Sequence, residues 1–231
     1  GTQVPFNGGV YVFHRSGTTW TEVDILENPN PVNEFGGGNF FGQVVDVSGD
    51  YVIVGTNEDV DVGAYMYKWN ATTSEYDLVQ SLKDHFEHVS FYGGDVCLED
   101  PYALVGSGEH IILWKRSGAE WIKQSFLGNG NWPAGGYQNL GLHRWNVLVG
   151  LPTDDVNGEN AGTAWFLPIQ ERNRQSEILP GALGMMQIGS GLGLDGDRVL
   201  LGASGGVGGS PHGYAAVFEP NGPYWDEDTV L

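Results

Sequence analysis

Oxygen-bearing side chains are concentrated in one short segment in the second half of the sequence. Asp154, Asp155, Asn157 and Glu159 stand close together, in partly alternating positions. Carboxylate and amide oxygens at such close spacing are the ligands that Ca²⁺ prefers. The segment therefore predicts a possible calcium site formed by these four residues. The alternative is that turns favour Asp, Asn and Gly, and that acidic groups simply keep the protein soluble.

Other polar segments contain further acidic residues and a tryptophan. Three acids follow the strand-like segment YVIVG, and Trp132 stands in the stretch NGNWP. An indole ring can stack on the face of a sugar while neighbouring amides bind its hydroxyl groups. The alternative for Trp132 is a ring folded back between strands. We predict a ligand-binding surface made of Glu58, Asp59, Asp61, Trp132, Asp154, Asp155 and Glu159.

Groups that could catalyse hydrolysis show no local arrangement in the sequence. Such chemistry needs a nucleophile beside a base, a pair of carboxyl groups or a metal with an open position. Ser204 and Ser210 lie in Gly-rich stretches that are typical of turns, and Gly-x-Ser-x-Gly is absent. We therefore expect a protein that is not an enzyme. Residues from distant segments could still converge in the fold, which leaves a secreted hydrolase as the least favoured alternative.

Two single residues carry predictions of their own. Cys97 is the only cysteine, so no internal disulfide can form, and its apolar neighbours predict a buried structural thiol. Asn70-Ala71-Thr72 matches the Asn-x-Thr glycosylation sequon and lies where a turn is predicted. Asn70 is therefore the predicted glycan attachment site if the protein is secreted by a eukaryotic cell.

The charge balance limits the possible partners. The chain has 29 acidic and 10 basic residues, which gives a formal net charge of −19. Electrostatic repulsion opposes binding to nucleic acids and to anionic membranes, so we expect neither partner. The sequence also lacks an apolar run long enough for a membrane-spanning helix. Proteins and glycans remain possible partners, and Ca²⁺ is the one cofactor that the sequence suggests.

The elements that would position these residues are visible as a repeat. Apolar strands that end in glycine read YVIVG, YALVG, NVLVG and RVLLG, and close at Gly55, Gly106, Gly150 and Gly202. A following strand ends in an aromatic residue at Phe13, Tyr67, Trp114, Phe166 and Phe218. An apolar residue and glycine precede three of the units, as Phe41-Gly42, Tyr92-Gly93 and Ile188-Gly189. The stretch VFHRSGTTW recurs as LWKRSGAEW, which predicts two copies of one hairpin whose aromatic residues pack between sheets.

Short strands repeating about every 50 residues predict an all-β protein with the β-propeller fold. Each four-stranded antiparallel unit, or blade, must bury its faces against its neighbours. We predict a single propeller region, residues 1–231, of about four and a half blades. The predicted ranges are a half blade at 1–35, then blades at 36–83, 84–128, 129–180 and 181–231. Since a half blade cannot close a ring evenly, we expect either a longer parent of about seven blades or a second chain that supplies the missing strands.

The ordered set of motifs resembles the FG-GAP repeats of the integrin α-subunit propeller and of many secreted proteins. The resemblance rests on Phe41-Gly42, the VIVG-type strands, Gly150-Leu151-Pro152 and Gly202-Ala203-Ser204, and it covers nearly the whole chain. It implies a propeller but no particular activity. The calcium loops of that family are not carried over, because the turns between first and second strands are too short here.

Sorting charges by predicted loop separates an acidic face from a face of mixed charge. Basic residues of the hairpins, among them Lys68 and Arg116, fall on the mixed face. We expect a non-catalytic module, extracellular or at the cell surface, that serves as a protein-binding, adhesion or matrix scaffold. A carbohydrate-binding propeller is the alternative. The expected partner of the module is another protein or the remainder of its own chain, with glycans as a further partner.

Overall fold

The computed structural model describes residues 8–31, 40–56, 62–83, 93–107, 110–127, 139–155, 158–170, 176–178, 187–204, 213–222 and 224–231. Within these ranges the chain forms β-strands joined by turns and no helix. A two-stranded sheet, which we call the hairpin sheet, contains β1 (Gly9–Ser16) and β2 (Thr19–Glu27).

Four four-stranded sheets follow along the chain. Sheet 1 contains β3 (Val45–Ser48), β4 (Tyr51–Gly55), β5 (Val62–Asn70) and β6 (Glu75–Lys83). Sheet 2 contains β7 (Asp95–Glu99), β8 (Tyr102–Ser107), β9 (His110–Ser117) and β10 (Glu120–Leu127). Sheet 3 contains β11 (Asn139–His143), β12 (Asn146–Leu151), β13 (Thr163–Pro168) and β14 (Ser176–Ile178). Sheet 4 contains β15 (Ile188–Asp195), β16 (Arg198–Ala203), β17 (Tyr214–Asn221) and β18 (Tyr224–Val230).

Every four-stranded sheet is an up-and-down meander in which consecutive strands are neighbours. This is the blade of a β-propeller, so the predicted fold class is confirmed, with one two-stranded and four complete blades. Each sheet lies within one of the repeat ranges given above. The boundaries between those ranges fall at or beside residues outside the described part and stay predictions, as does the parent of about seven blades.

The chain divides into two compact units. The first contains Gly1–Ser107 and Ile112–Ser125, and therefore the hairpin sheet, sheet 1 and most of sheet 2. The second contains Gly108–Ile111 and Phe126–Leu231, with sheets 3 and 4. Each unit has its own apolar core between stacked sheets.

The glycine-ended strands are apolar throughout because they lie between two sheets. In β4 all five residues are buried: one face, with Ile53, packs on sheet 2, and the other, with Val52, packs on the hairpin sheet. A strand that is covered on both faces needs a continuous apolar run rather than alternation. This explains the four VIVG-type segments of the sequence.

The glycine that follows Phe41, Tyr92 and Ile188 lies where neighbouring sheets approach each other closely. Gly93 has a φ of 84° and lies against the carbonyl oxygens of Thr56 and Gly63 in the preceding repeat. Gly189 has a φ of 90° and approaches Gly150 and Thr163 in the same manner. A side chain at either position would overlap with backbone atoms of the neighbouring sheet. The contact between sheets therefore explains why glycine recurs in the Phe-Gly element.

The same β-bulge recurs in three hairpins, directly before the aromatic residue of the third strand. The register shifts between Val12 and Phe13, between Met66 and Tyr67, and between Val217 and Phe218. Such a bulge strengthens the local twist of the strand pair. Its recurrence identifies β1, β5 and β17 as equivalent strands of successive repeats.

The sequence prediction is wrong in taking Phe166 as the repeat equivalent of Tyr67 and Phe218. Tyr67 pairs with Val52 and Phe218 with Val199, whereas the equivalent residue Val147 pairs with Leu167. Leu167, and not Phe166, is therefore the repeat equivalent in sheet 3. Apolar residues on both faces of the strand hide such a one-residue slip.

The aromatic residues of the two hairpin copies were both expected between sheets. Trp121 is buried there, with its ring edge-on to Tyr51 at a centroid distance of 5.6 Å. Trp20 is instead 63% exposed, and its ring lies beneath the guanidinium of Arg15 at 5.9 Å. The arginine has the same local role in both copies, because Arg15 and Arg116 each donate a hydrogen bond to the carbonyl of their turn glycine.

Candidate functional site

An open cleft of about 380 Å³ lies in the first unit, where turns of sheet 1 and sheet 2 meet. Its walls come from the β3–β4 turn, the start of β4, the end of β5, the β7–β8 turn and the end of β9. The lining residues are Ser48, Gly49, Asp50, Tyr51, Lys68, Asp100 and Arg116. Cleft residues are thus brought together from two repeats.

An arginine–aspartate pair forms one wall of the cleft. Arg116 donates two parallel hydrogen bonds to Asp100, from Nε to Oδ1 at 2.6 Å and from the terminal nitrogen to Oδ2 at 2.7 Å. This bidentate geometry fixes the plane of the guanidinium. The hydrogen bond to Asp100 is also the main cause that raises the pKa of Arg116. Asp100 is held in turn, because its backbone N–H donates to the Ser48 hydroxyl at 3.1 Å.

The ring of Tyr51 forms the floor between two cations. The Arg116 guanidinium lies 5.3 Å and the Lys68 ammonium 5.4 Å from the ring centroid. Tyr51 is buried and sits directly opposite Lys68 in the β4–β5 ladder. Cations placed over an aromatic face are attracted by the negative charge of its π-cloud. Tyr51 therefore attracts both of the positive groups that line the cleft.

The cleft combines charges of both signs at fixed positions. Asp50 and Lys68 are exposed, whereas the charge of Arg116 is balanced by Asp100. The arrangement suits a polar segment that offers a carboxylate to Lys68 and hydrogen-bonding groups to the remaining wall.

Sequence reasoning placed Lys68 and Arg116 on one face but missed their aspartate and tyrosine partners. The sequence contained part of the information needed to predict Tyr51 as a partner, because Tyr51 begins a predicted strand whose neighbouring strand carries Lys68. The Asp100–Arg116 pair spans two strands of sheet 2, and its approach to Tyr51 depends on how two sheets stack. Sequence spacing does not encode that stacking.

The predicted ligand-binding residues lie largely outside the described part of the chain. This applies to Glu58, Asp59, Asp61 and Trp132, and to Asn157 of the predicted calcium site. Their roles stay predictions. The structure places the three remaining residues, Asp154, Asp155 and Glu159, in the connection between β12 and β13.

Hydrogen bonds from backbone N–H groups to backbone carbonyls and to one carboxylate stabilise that connection. Asp155 accepts the Asn160 N–H on Oδ1 at 2.6 Å and the Gly158 N–H on its carbonyl at 3.0 Å. The Gly162 N–H donates to the Asp154 carbonyl at 2.9 Å. One oxygen of the predicted calcium ligands thus already stabilises the loop. Among the described residues, no group of three or more His, Cys, Asp or Glu side chains could hold a metal.

Asn70 lies at the end of β5, beside the predicted turn between third and fourth strands, and is partly exposed. Its amide nitrogen donates to Asp77 Oδ2 at 2.8 Å, and its side-chain oxygen accepts the Thr72 N–H at 2.9 Å. Glycan attachment would replace one of the two hydrogens on that amide nitrogen. Glycosylation at Asn70 stays a prediction.

Cys97 is buried within sheet 2, as the sequence predicts. Burial is the main cause that raises its pKa well above the usual range. A thiol that resists ionisation is a poor nucleophile, so its role is in packing.

No helix of the described residues has the length and apolarity needed to cross a membrane.

No family model and no curated protein sequence matches the chain. The solved structures that are similar to it include the following three. The N-terminal domain of Nup159 is 10% identical with a TM-score of 0.44, over 79% of this chain and 46% of that one. YjhT is 10% identical with a TM-score of 0.47, over 81% and 63%. The tricorn protease is 11% identical with a TM-score of 0.41, over 90% and 21%. The chain thus spans less than two thirds of each, and such values transfer no function.

Proposed function

We propose that this chain is a non-catalytic β-propeller module that binds another protein through the cleft around Tyr51. The partner segment carries a carboxylate that pairs with Lys68. We further propose that the module acts outside the cell or at its surface, as an adhesion or matrix scaffold. The FG-GAP resemblance and the Asn70 sequon support that location.

The observation that carries the proposal is the fixed position of two cations over one buried ring. Binding costs free energy when side chains must be ordered on contact. Here the Asp100 pair and the Tyr51 ring hold Arg116 before any partner arrives. Tyrosine and arginine are also enriched where proteins bind one another. The cleft therefore offers a preorganised surface rather than a flexible one.

A random peptide library displayed on phage, selected on the immobilised chain, tests the proposal. We expect enrichment of peptides with a shared acidic residue, because Lys68 supplies an exposed positive charge. Lys68→Ala should weaken binding of a selected peptide about tenfold, as one charged hydrogen bond contributes about 1.5 kcal/mol. Fluorescence anisotropy with the labelled peptide measures this change.

Lys115→Ala is the matched control, since Lys115 also lies over a tyrosine ring, that of Tyr102, but does not line the cleft. It should bind the selected peptide like the original chain. Equal loss in both variants, or no shared peptide sequence, would overturn the proposal. Carbohydrate binding rests on Trp132 and is tested by a glycan array: strong binding lost in Trp132→Ala would replace the protein partner with a sugar.

A further inference from the structure

The glycosylation sequon and the cleft lie on the same face of one strand. Side chains alternate between the two faces of a strand, so Lys68 and Asn70 of β5 share a face. Tyr51 pairs directly with Lys68 and contacts Trp121 of sheet 2. The face of Lys68 and Asn70 is therefore turned to sheet 2 and the cleft, whereas Trp69 between them contacts the hairpin sheet.

The Asn70 side chain bends back towards the cleft. Lys68 pairs directly with Asp77 of β6, and the Asn70 amide nitrogen donates to Oδ2 of the same Asp77 at 2.8 Å. The atom to which a glycan would be attached thus lies next to the strand pair that contains Lys68. Residues two positions apart in a strand are separated by only about 7 Å. A branched oligosaccharide of several sugar rings exceeds that distance.

The hydrogen bonds of Asn70 are compatible with an attached glycan. The amide nitrogen has two hydrogens, so one can be replaced by the sugar while the other keeps the bond to Asp77. The side-chain oxygen of Asn70 can keep accepting the Thr72 N–H at 2.9 Å. Asn70 is partly exposed and Thr72 is exposed. The bond to Asp77 would therefore hold the first sugar beside Lys68.

We propose that an N-linked glycan on Asn70 covers the mouth of the cleft and slows the access of a partner to Lys68. The glycosylated chain is then the hindered form of the module, and the unmodified chain is the form that binds. This inference rests on the proposed function, because it concerns the regulation of the same site. A bulky glycan beside the cleft restricts the approach of a partner, so it should lower the association rate more than it changes the dissociation rate.

The first test needs no partner. The 231-residue chain is secreted from a eukaryotic cell line and compared with Thr72→Ala, which removes the sequon but keeps Asn70 and its bond to Asp77. Intact mass gives the occupancy of Asn70. A bulky amine-reactive ester then labels the lysines, and peptide mapping gives the rate at Lys68 relative to Lys115, which also lies exposed over a tyrosine ring. We expect the glycan to slow labelling of Lys68 at least about threefold and to leave Lys115 unchanged.

The peptide selected on the unmodified chain supplies the second test. Its association rate should be at least about tenfold lower with the glycosylated chain, and its dissociation rate should change less than about twofold. Ser117→Asn with Ala119→Thr, added to Thr72→Ala, is the control variant. It creates a sequon at the equivalent hairpin of sheet 2, where position 117 lies on the face of β9 opposite to Arg116 and the cleft. A glycan there should leave both rates as in the unmodified chain.

An unmodified Asn70 in the secreted chain would overturn the proposal. Equal labelling of Lys68 with and without the glycan would do so as well, and so would equal slowing of the peptide by the glycan of the control variant. Failure of the proposed function has a different signature, because no peptide would then be selected on the unmodified chain. The labelling rate of Lys68 would still decide whether the glycan covers the cleft.

Discussion

Glycine at position 93 shows how a single missing side chain sets the distance between two sheets. The residue combines a positive φ with direct backbone contact to Thr56 and Gly63. A methyl group there would force the sheets apart, in addition to the cost of a left-handed conformation. Gly49 also has a positive φ, 57°, but no atom lies within 4 Å of where its Cβ would be.

We predict that Gly93→Ala destabilises the protein far more than Gly49→Ala. The control should cost about 1 kcal/mol, which is the strain of left-handed backbone alone. Gly93→Ala should cost about 3 kcal/mol or more, because strain and backbone overlap add. Urea unfolding of both variants measures the difference. Equal losses would mean that φ, and not the approach between sheets, explains the repeated glycine.

Only some of the cleft residues could be predicted from the sequence. Lys68 and Arg116 could be assigned to one face from the order of hairpins. Tyr51, which holds both cations, looked like an ordinary core residue, because β4 is apolar from end to end. A residue that is both core and binding surface carries no separate signal in its type or spacing.

Polar side chains tie the edge strands of neighbouring sheets together. Gln80 of β6 donates to the Trp121 carbonyl at 2.7 Å and accepts the Trp121 N–H at 2.8 Å. At the opposite edge of the two sheets, Asp46 of β3 accepts the Leu98 N–H of β7 at 2.7 Å. These bonds satisfy backbone groups that would otherwise be open to other chains. They hold the stacked sheets in register in addition to the apolar core.

We predict that Gln80→Ala loosens sheet 1 from sheet 2. Two backbone groups of a buried residue would lose their partner, at a cost of about 1–3 kcal/mol. Gln124→Ala is the matched control, since Gln124 is exposed and, among the described residues, bonds only to Ile122 of its own strand. It should change stability by no more than about 0.5 kcal/mol. Thermal unfolding gives both values, and hydrogen exchange at Trp121 should rise only in Gln80→Ala.

The sequence was most successful in predicting the secondary-structure elements. Apolar runs ended by glycine predicted β4, β8, β12 and β16, and the recurring Arg-Ser-Gly turn predicted two hairpins. The slip between Phe166 and Leu167 arose because a strand buried on both faces lacks alternation. Gln80 and Asp46 could not be recognised, since their partners lie 41 and 52 residues away in another sheet.

The whole molecule carries a net charge of −19, which acts against compactness through mutual repulsion of its acids. Salt screens exposed charges, because the Debye length falls to about 10 Å at 0.1 M. Exposed pairs such as Arg198 with Glu219 lose little, as such pairs contribute about 0–1 kcal/mol. Raising NaCl should therefore increase the unfolding temperature, and a salt-independent temperature would show that repulsion is not limiting.

The calcium prediction can be separated from this general effect of charge. The sequence-predicted site of Asp154, Asp155, Asn157 and Glu159 would make CaCl₂ raise the unfolding temperature above MgCl₂ at equal ionic strength, because Ca²⁺ accepts an irregular oxygen cage. Among the described residues, Asp154, Asp155 and Glu159 form no group that could hold a metal, so equal shifts are the outcome that this geometry favours. At about one hundred times its Kd, Ca²⁺ would add about 2.7 kcal/mol. Asp154→Asn should remove this calcium-specific increase and leave the NaCl effect unchanged. Equal shifts with the two cations would show that the acidic loop serves only its own backbone, as the bond from Asn160 to Asp155 already does.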